Sequence, residues 1–201
     1  MKYANPAPLG LSGFALTTWM LSMVNAGWFT GTSVPLVLAS ALAFGGTAQF
    51  AAGLMEMPRG NTFGATALSS YGGFWLSFAI VLTPGGFQIV DAYTTADQSF
   101  NYAFGFFLFG WFIFTTILLI CTLRSTVAFF LLFFFLDLAF LCLGIGYING
   151  PSSSETETGA IKAGGYFGLF AAFMAWYNAL AGIADSRYYL LCKIRTELKR
   201  Q

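Results

Sequence analysis

Six apolar runs, each long enough to cross a bilayer, dominate this chain: roughly 10–29, 33–55, 62–83, 101–122, 126–148 and 161–184. Inside hydrocarbon, every backbone N–H and C=O needs a partner within the protein, and a single segment of this length achieves that as an α-helix. Of the 201 residues, 57% are hydrophobic and 8% are charged. A soluble domain carries about 25% charged residues, so this chain has too few to cover a wet surface. The expected fold is an all-α membrane protein with six transmembrane helices in one domain over 1–201. The connecting stretches are Gly31-Thr32-Ser33, Met57-Pro58-Arg59-Gly60-Asn61, 84–99, Arg124-Ser125 and 150–158, and none resembles a soluble domain or a linker.

Charge placement predicts the orientation. An even number of spans puts both ends on one side, with Lys2, Arg59, Arg124, Arg187, Lys193, Arg195, Lys199 and Arg200. Opposite lies Lys162 alone, with Asp91, Asp97, Glu155 and Glu157. The positive-inside rule makes both termini cytoplasmic, and the basic tail 185–201 reads as a contact with anionic lipid. The short lead before the first span carries no small-residue cleavage site, so no cleaved leader is expected. A net charge of +1 argues against a nucleic-acid partner.

Enzyme chemistry finds little to work with here. There is no histidine, no HExxH or CxxC pattern, no phosphate loop and no close acid pair inside a span. Neither a metal nor a cofactor is expected. Cys121, Cys142 and Cys192 read as small buried hydrophobes. Glycines inside the spans let helices approach closely, which predicts a compact bundle. The Phe-rich runs 104–114 and 129–140 read as too continuously apolar to line a wide water channel. They are expected to face lipid, neighbouring helices or another subunit.

The informative residues are therefore the polar groups inside spans, since each costs free energy there unless it serves packing or passage. Thr17, Thr18 and Asn25 lie in the first span, Thr47 and Gln49 in the second, Thr66, Ser69, Ser70 and Tyr71 in the third, and Tyr177 and Asn178 in the sixth. All are neutral, and hydroxyls, amides and helix N-termini can handle a carboxylate without a fixed cation. The bland alternative is that they bond helix to helix, which is the favoured reading for Thr18 or Ser70 taken singly. Gln49 reads as functional, because a buried amide needs several partners at once. Asp137 lies midway along the fifth span, where a charged carboxylate costs about 2.5–3.5 kcal/mol. Arg124 is thirteen residues away, about 20 Å along a helix, too far for a simple pair. Two solutions stay open for Asp137: a protonated carboxyl that serves as a proton-coupling site, or hydrogen bonds from a neighbouring helix or subunit.

At the start of the first span, Asn5-Pro6-Ala7-Pro8-Leu9-Gly10-Leu11-Ser12-Gly13-Phe14 is a helix-start device. Asn5 can cap free N–H groups, and proline is tolerated in a first turn. The positive helix end is a place to attract an anion. As a string, NPAPLGL followed by Gly13-Phe14 resembles the signature of the acetate uptake transporter family, the succinate–acetate permeases and their fungal acetate/ammonia relatives. Further matching strings are Phe44-Gly45-Gly46-Thr47-Ala48-Gln49, Gly60-Asn61-Thr62-Phe63-Gly64, Ser70-Tyr71-Gly72-Gly73-Phe74-Trp75 and Gly165-Tyr166-Phe167-Gly168-Leu169. Thr122-Leu123-Arg124 and Tyr177-Asn178-Ala179-Leu180-Ala181 look closer to the fungal branch than to the bacterial one.

This resemblance implies six helices per subunit and a homo-hexamer with one pore through each subunit. It also implies a narrow hydrophobic constriction whose three side chains align with Phe14, Tyr71 and Leu136. Gln49 matches a pore-lining glutamine, and Ala175 matches a position near the constriction that influences which acids pass. The implied function is passage of acetate and related short-chain carboxylates, succinate among them, across the plasma membrane, by proton symport or through a gated anion channel. Two other readings stay in view: ammonium or ammonia export, and a non-transporting sensor or scaffold acting through its hexamer and basic tail.

Overall fold

The computed structural model describes residues 4–29, 34–95, 100–149 and 159–184; Lys2, Asp97, Glu155, Glu157, Cys192 and the basic tail lie outside them. The described residues form α1 (Ala7–Asn25), α2 (Val34–Leu42), a π-helical turn (Ala43–Ala48), α3 (Gln49–Glu56), α4 (Thr62–Leu82), α5 (Ile89–Thr95), α6 (Phe100–Cys121), α7 (Val127–Asn149) and α8 (Gly159–Ile183). Six stretches are long and apolar enough to span a membrane: α1, the run Val34–Arg59, α4, α6, α7 and α8. The one element beyond them, α5, lies in a stretch expected to be a plain connection.

Local chemistry sets the ends. The Asn5 side chain accepts from the Ala7 amide at 3.3 Å, and Pro8 lies in the first turn of α1. α1 stops at Asn25, four residues short of the expected end. Gly27 adopts φ +79°, and the Trp28 amide returns to the Met23 carbonyl at 3.1 Å, the closure that a left-handed residue permits at a helix C-terminus. Between α3 and α4, Met57–Arg59 forms a tight turn that ends on Gly60 at φ +74°. Asn61 then caps α4 by accepting from the Gly64 amide at 3.0 Å.

The second span is not one continuous α-helix. Its π turn widens the backbone by the equivalent of one residue, which rotates everything downstream by about 100°. Thr47 marks the wide turn, its hydroxyl reaching back five residues to the Leu42 carbonyl at 2.8 Å. Gly46 has no room for a side chain against the Ala41 carbonyl and Leu76. Gln49 emerges from this turn with no exposed surface.

Helices α6, α7, α8 and α1 pack in sequence, each against the next, and α1 continues onto the broken second span, which packs on α4. The ring closes between α4 and α6 through side chains. The Tyr71 hydroxyl meets that of Thr115 at 2.8 Å, and the Phe74 ring lies 5.1 Å from Trp111 and 5.9 Å from Phe107. The Phe-rich runs are split by the helical period. Phe106 and Phe134 are exposed as expected, but Phe104, Phe133 and Phe140 turn into the core. Each run thus divides between the outer surface and the neighbouring helices, because a helix that is apolar all round still presents one face inward.

Glycine allows the closest approaches. A Cβ on Gly72 would lie 2.6 Å from the Phe50 amide nitrogen, whereas one on Gly73, the next residue, would meet nothing within 4 Å. Gly72→Val is expected to destabilise the protein by about 3 kcal/mol or block its folding, while Gly73→Ala leaves the melting temperature in detergent within a degree or two of wild type.

Candidate functional site

Two cavities run along the inside of the bundle, one in each half. The larger, about 420 Å³, lies where α1 and α4 begin and α6 ends; Ala7, Leu11, Asn61, Gly64 and Thr122 border it. The smaller, about 40 Å³, lies toward the opposite end, bordered by Ser22, Asn25, Phe78, Phe104, Tyr147 and Gly164. Phe14 and Leu136 line both and stand between them. Tyr71 lines the larger cavity, its ring 5.8 Å from that of Phe14. All three are at most 5% exposed. The residues expected to make a constriction therefore meet at one level, where one cavity gives way to the other.

Tyr71 is held on every side. Its ring lies 5.8–6.5 Å from those of Phe14, Phe114, Trp111, Phe133 and Phe140, and Thr115 engages its hydroxyl. With the O–H bound to a neighbour inside the helix packing, Tyr71 presents mainly its ring. Aromatic contacts of this kind add about 0.5–1.5 kcal/mol per pair beyond burial, so the Tyr71 ring is firmly held.

Gln49 borders the larger cavity, and neither its amide oxygen nor its nitrogen has a hydrogen-bond partner among the described residues. Most buried polar side chains in proteins are paired. An unpaired amide beside a cavity offers two N–H donors to whatever enters.

The other candidates are placed as follows. Asn25 borders the smaller cavity. Thr17 bonds the Ser40 hydroxyl at 2.8 Å and joins α1 to α2. Asn5 stays at the start of α1, exposed. Ser70 lies in a shallow groove with Phe106 and Phe107, outside both cavities. Ala175, with no exposed surface, belongs to the same apolar core as Phe14 but borders neither cavity. Tyr177 is 59% exposed on the outer face of α8. Asp137 accepts from the Thr116 hydroxyl at 2.8 Å, on the seam between α6 and α7 and away from both cavities. Asn178 donates to the Met174 carbonyl one turn back. Cys121, expected to be buried, is exposed at the rim of the larger cavity, because α6 ends there.

Three residues escaped the sequence reading. Thr115 positions Tyr71, and nothing in its apolar context signals that. Ser22 follows Thr18 by four residues on one helix face, a spacing that could have been noticed. Glu56, 1% exposed, accepts from Asn61 Nδ2 at 2.9 Å and lies 3.7 Å from Arg59 Nε. Arg59 in turn donates to the Ala4 carbonyl at 2.9 Å. This cluster ties the segment before α1 to the turn that caps α4, at the mouth of the larger cavity.

The sequence model of the GPR1/FUN34/yaaH family matches residues 1–197. The chain belongs to that family. Among its relatives, acetate permease A of Emericella nidulans is 65% identical over 188 residues, 92% of this chain and 63% of that protein. Ammonia transport outward protein 2 of Saccharomyces cerevisiae is 50% identical over 184 residues, 91% of this chain and 62% of that protein. The chain thus spans less than two thirds of the length of these fungal relatives. The succinate-acetate/proton symporter SatP of Escherichia coli is 36% identical over 187 residues, 93% of this chain and 92% of that protein. A solved structure of the bacterial acetate channel SatP superposes with a TM-score of 0.76 at 36% identity, covering 89% of this chain and 91% of that one. The family fold and the six apolar helices make this a multi-pass membrane protein.

An unpaired buried amide lowers stability by about 1–3 kcal/mol. Gln49→Leu is accordingly expected to raise the melting temperature of the detergent-solubilised protein, a direction opposite to that of most core substitutions.

Proposed function

We propose that this chain carries acetate and related short-chain monocarboxylates across the plasma membrane, through a pathway that crosses the Phe14, Tyr71 and Leu136 constriction within each subunit of a hexamer whose termini are cytoplasmic. The observation that carries the reading is the division of two internal cavities by Phe14 and Leu136, with the unpaired Gln49 amide beside the larger one. The names of the relatives, an acetate permease and a succinate-acetate/proton symporter, agree with it.

The chemistry follows from the surfaces. A carboxylate entering the larger cavity exchanges part of its water shell for the Gln49 N–H donors. At the constriction it meets only aromatic and aliphatic surface, so a bare anion crosses against a desolvation cost. A protonated acid sheds far fewer waters there. A narrow apolar ring also sorts by width: a methyl group passes beside Phe14 and Leu136 more readily than a branched or hydroxylated chain. Ala175 lies in the core that supports Phe14, so a bulkier side chain there would narrow the passage indirectly. The Asp137–Thr116 bond supports a packing role for Asp137, in place of a proton site on the pathway.

Ammonium export is the second reading, favoured by the ammonia transport outward proteins among the relatives. The absence of histidine weakens it. A scaffold role predicts dependence on the tail beyond Asp185, and transport predicts independence of it.

Uptake of labelled acetate into proteoliposomes tests these readings together. Wild type is expected to exceed empty liposomes, and Phe14→Ala and Leu136→Ala to admit propionate and lactate about tenfold faster. Uptake that follows an imposed proton gradient assigns symport, and flux that follows only the acetate gradient and membrane potential assigns a channel. No flux above empty liposomes from folded protein overturns the proposal. Asp137→Asn, which preserves the bond from Thr116, is expected to leave the pH dependence of uptake unchanged; a flattened profile would return Asp137 to the coupling role.

A further inference from the structure

The seam between α4 and α6 is thinly packed. The two backbones scarcely approach each other, and side chains alone bridge them. Along its outer side runs a shallow groove of about 430 Å³, bordered by Ser70, Phe107, Gly110, Trp111 and Phe114. On the inner side the Tyr71 and Thr115 hydroxyls meet at 2.8 Å, one donating to the other. Thr115 has no exposed surface and Tyr71 is 3% exposed. Hydroxyls within these helices ordinarily return to the carbonyl one turn back, as the adjacent Thr116 does to Phe112 at 3.0 Å. Thr115 reaches across to α4 instead. It borders neither cavity, whereas Tyr71 lines the larger one. The tyrosine is thus tethered, by its hydroxyl, to a residue behind the cavity wall.

The tether and the surrounding rings constrain Tyr71 differently. The ring meets Phe14 tilted at 5.8 Å, Phe114 edge-on at 5.8 Å and Phe140 stacked at 6.5 Å. Aromatic pairs are favourable over a range of tilts and offsets, so they retain the ring without fixing how far it reaches. A hydrogen bond between hydroxyls is confined to about 2.5–3.0 Å and weakens outside that range. The bond to Thr115 therefore fixes how far the ring stands from Phe14. Two of the rings that support Tyr71, Trp111 and Phe114, also border the outer groove. Open space behind them lets them yield outward once the tether is gone.

We propose that Thr115 is a specificity-determining residue that touches no substrate: through the Tyr71 hydroxyl it sets the width left beside Phe14, and hence how strongly acetate is preferred over longer acids. The inference rests on the transport reading for its substrate class and adds a positioning residue to it. Without the bond the ring relaxes toward the groove and away from Phe14, and wider acids gain access. Loss of selection, more than loss of rate, is its signature.

Uptake of labelled acetate, propionate and butyrate by the reconstituted full-length chain tests this. Thr115→Val keeps the side-chain shape and loses the hydroxyl. It is expected to raise kcat/KM for propionate and butyrate relative to acetate about fivefold, the scale of one neutral hydrogen bond. Thr115→Ser restores the hydroxyl and returns the ratio to wild type. Tyr71→Phe removes the same bond from the other side by deleting a single atom, and is expected to give the same shift. The double variant Thr115→Val/Tyr71→Phe then matches either single variant, because both act on one bond. Slower uptake of every acid alike, with the ratio unchanged, would mean that Thr115 only supports the packing, and overturns the proposal. An unchanged ratio in folded Tyr71→Phe overturns it even where Thr115→Val does not fold. Additive shifts in the double variant overturn transmission through Tyr71. Wild type that shows no uptake overturns the transport reading and this inference with it, whereas uptake with unaltered ratios in the variants overturns this inference alone.

Discussion

Hydrocarbon supplies no hydrogen bonds, so the backbone of a spanning segment must satisfy itself, and every departure from regular helix has to be repaired locally. The described spans obey this almost throughout. The second departs from it at Ala43–Ala48, where the Thr47 hydroxyl also binds the Leu42 carbonyl at the start of the widened turn, while Gly45 and Gly46 let neighbouring helices close over it. The departure has a result. It changes the rotational phase of α3 and delivers Gln49 fully buried beside the larger cavity. A backbone irregularity and an unpaired amide, each costly in lipid, thus stand next to each other in the chain.

The same constraint sorts the hydroxyls. Ser77, Thr83, Thr116 and Thr122 return to helix carbonyls, Thr17 joins α1 to α2, and Thr115 holds Tyr71. What is left among the described residues is the Ser69 hydroxyl, one Glu56 oxygen and, beside the two cavities, the Gln49 amide, the Thr18 hydroxyl and the Trp75 indole N–H. The position of these last three on either side of Phe14 and Leu136 gives the bundle a polar–apolar–polar profile along its interior. The rigid aromatic packing around Tyr71 keeps the middle of that profile narrow.

At the mouth of the larger cavity a different arrangement applies. Glu56, Arg59 and Asn61 form a buried-to-exposed cluster that reaches the Ala4 carbonyl. Here water is near, charge is tolerated, and the cluster fixes where α1 begins relative to α4. Because Phe14 is borne on α1 and Tyr71 on α4, this distant tie contributes to the spacing of those two rings.

By itself the sequence determined the number and rough extent of the spanning helices, since length and hydropathy are one-dimensional properties that a bilayer reads directly. Its family-like strings also pointed to Phe14, Tyr71 and Gln49, and the resemblance to Leu136, and the structure brings all four together around one cavity. It did not determine which face of each helix turns inward. A helix apolar all round has no amphipathic stripe, so Phe104 and Phe140 could not be told from Phe106 and Phe134. Polarity was no better a guide, for Ser70 and Tyr177 lie outside both cavities and Thr17 is engaged by Ser40. The π turn was equally hidden, because Ala, Gly and Thr also form ordinary helix. Only the tertiary structure decided these points: the inward face of a membrane helix is chosen by glycine-mediated close packing with its neighbours, and that is a property of pairs of helices, which no single segment contains.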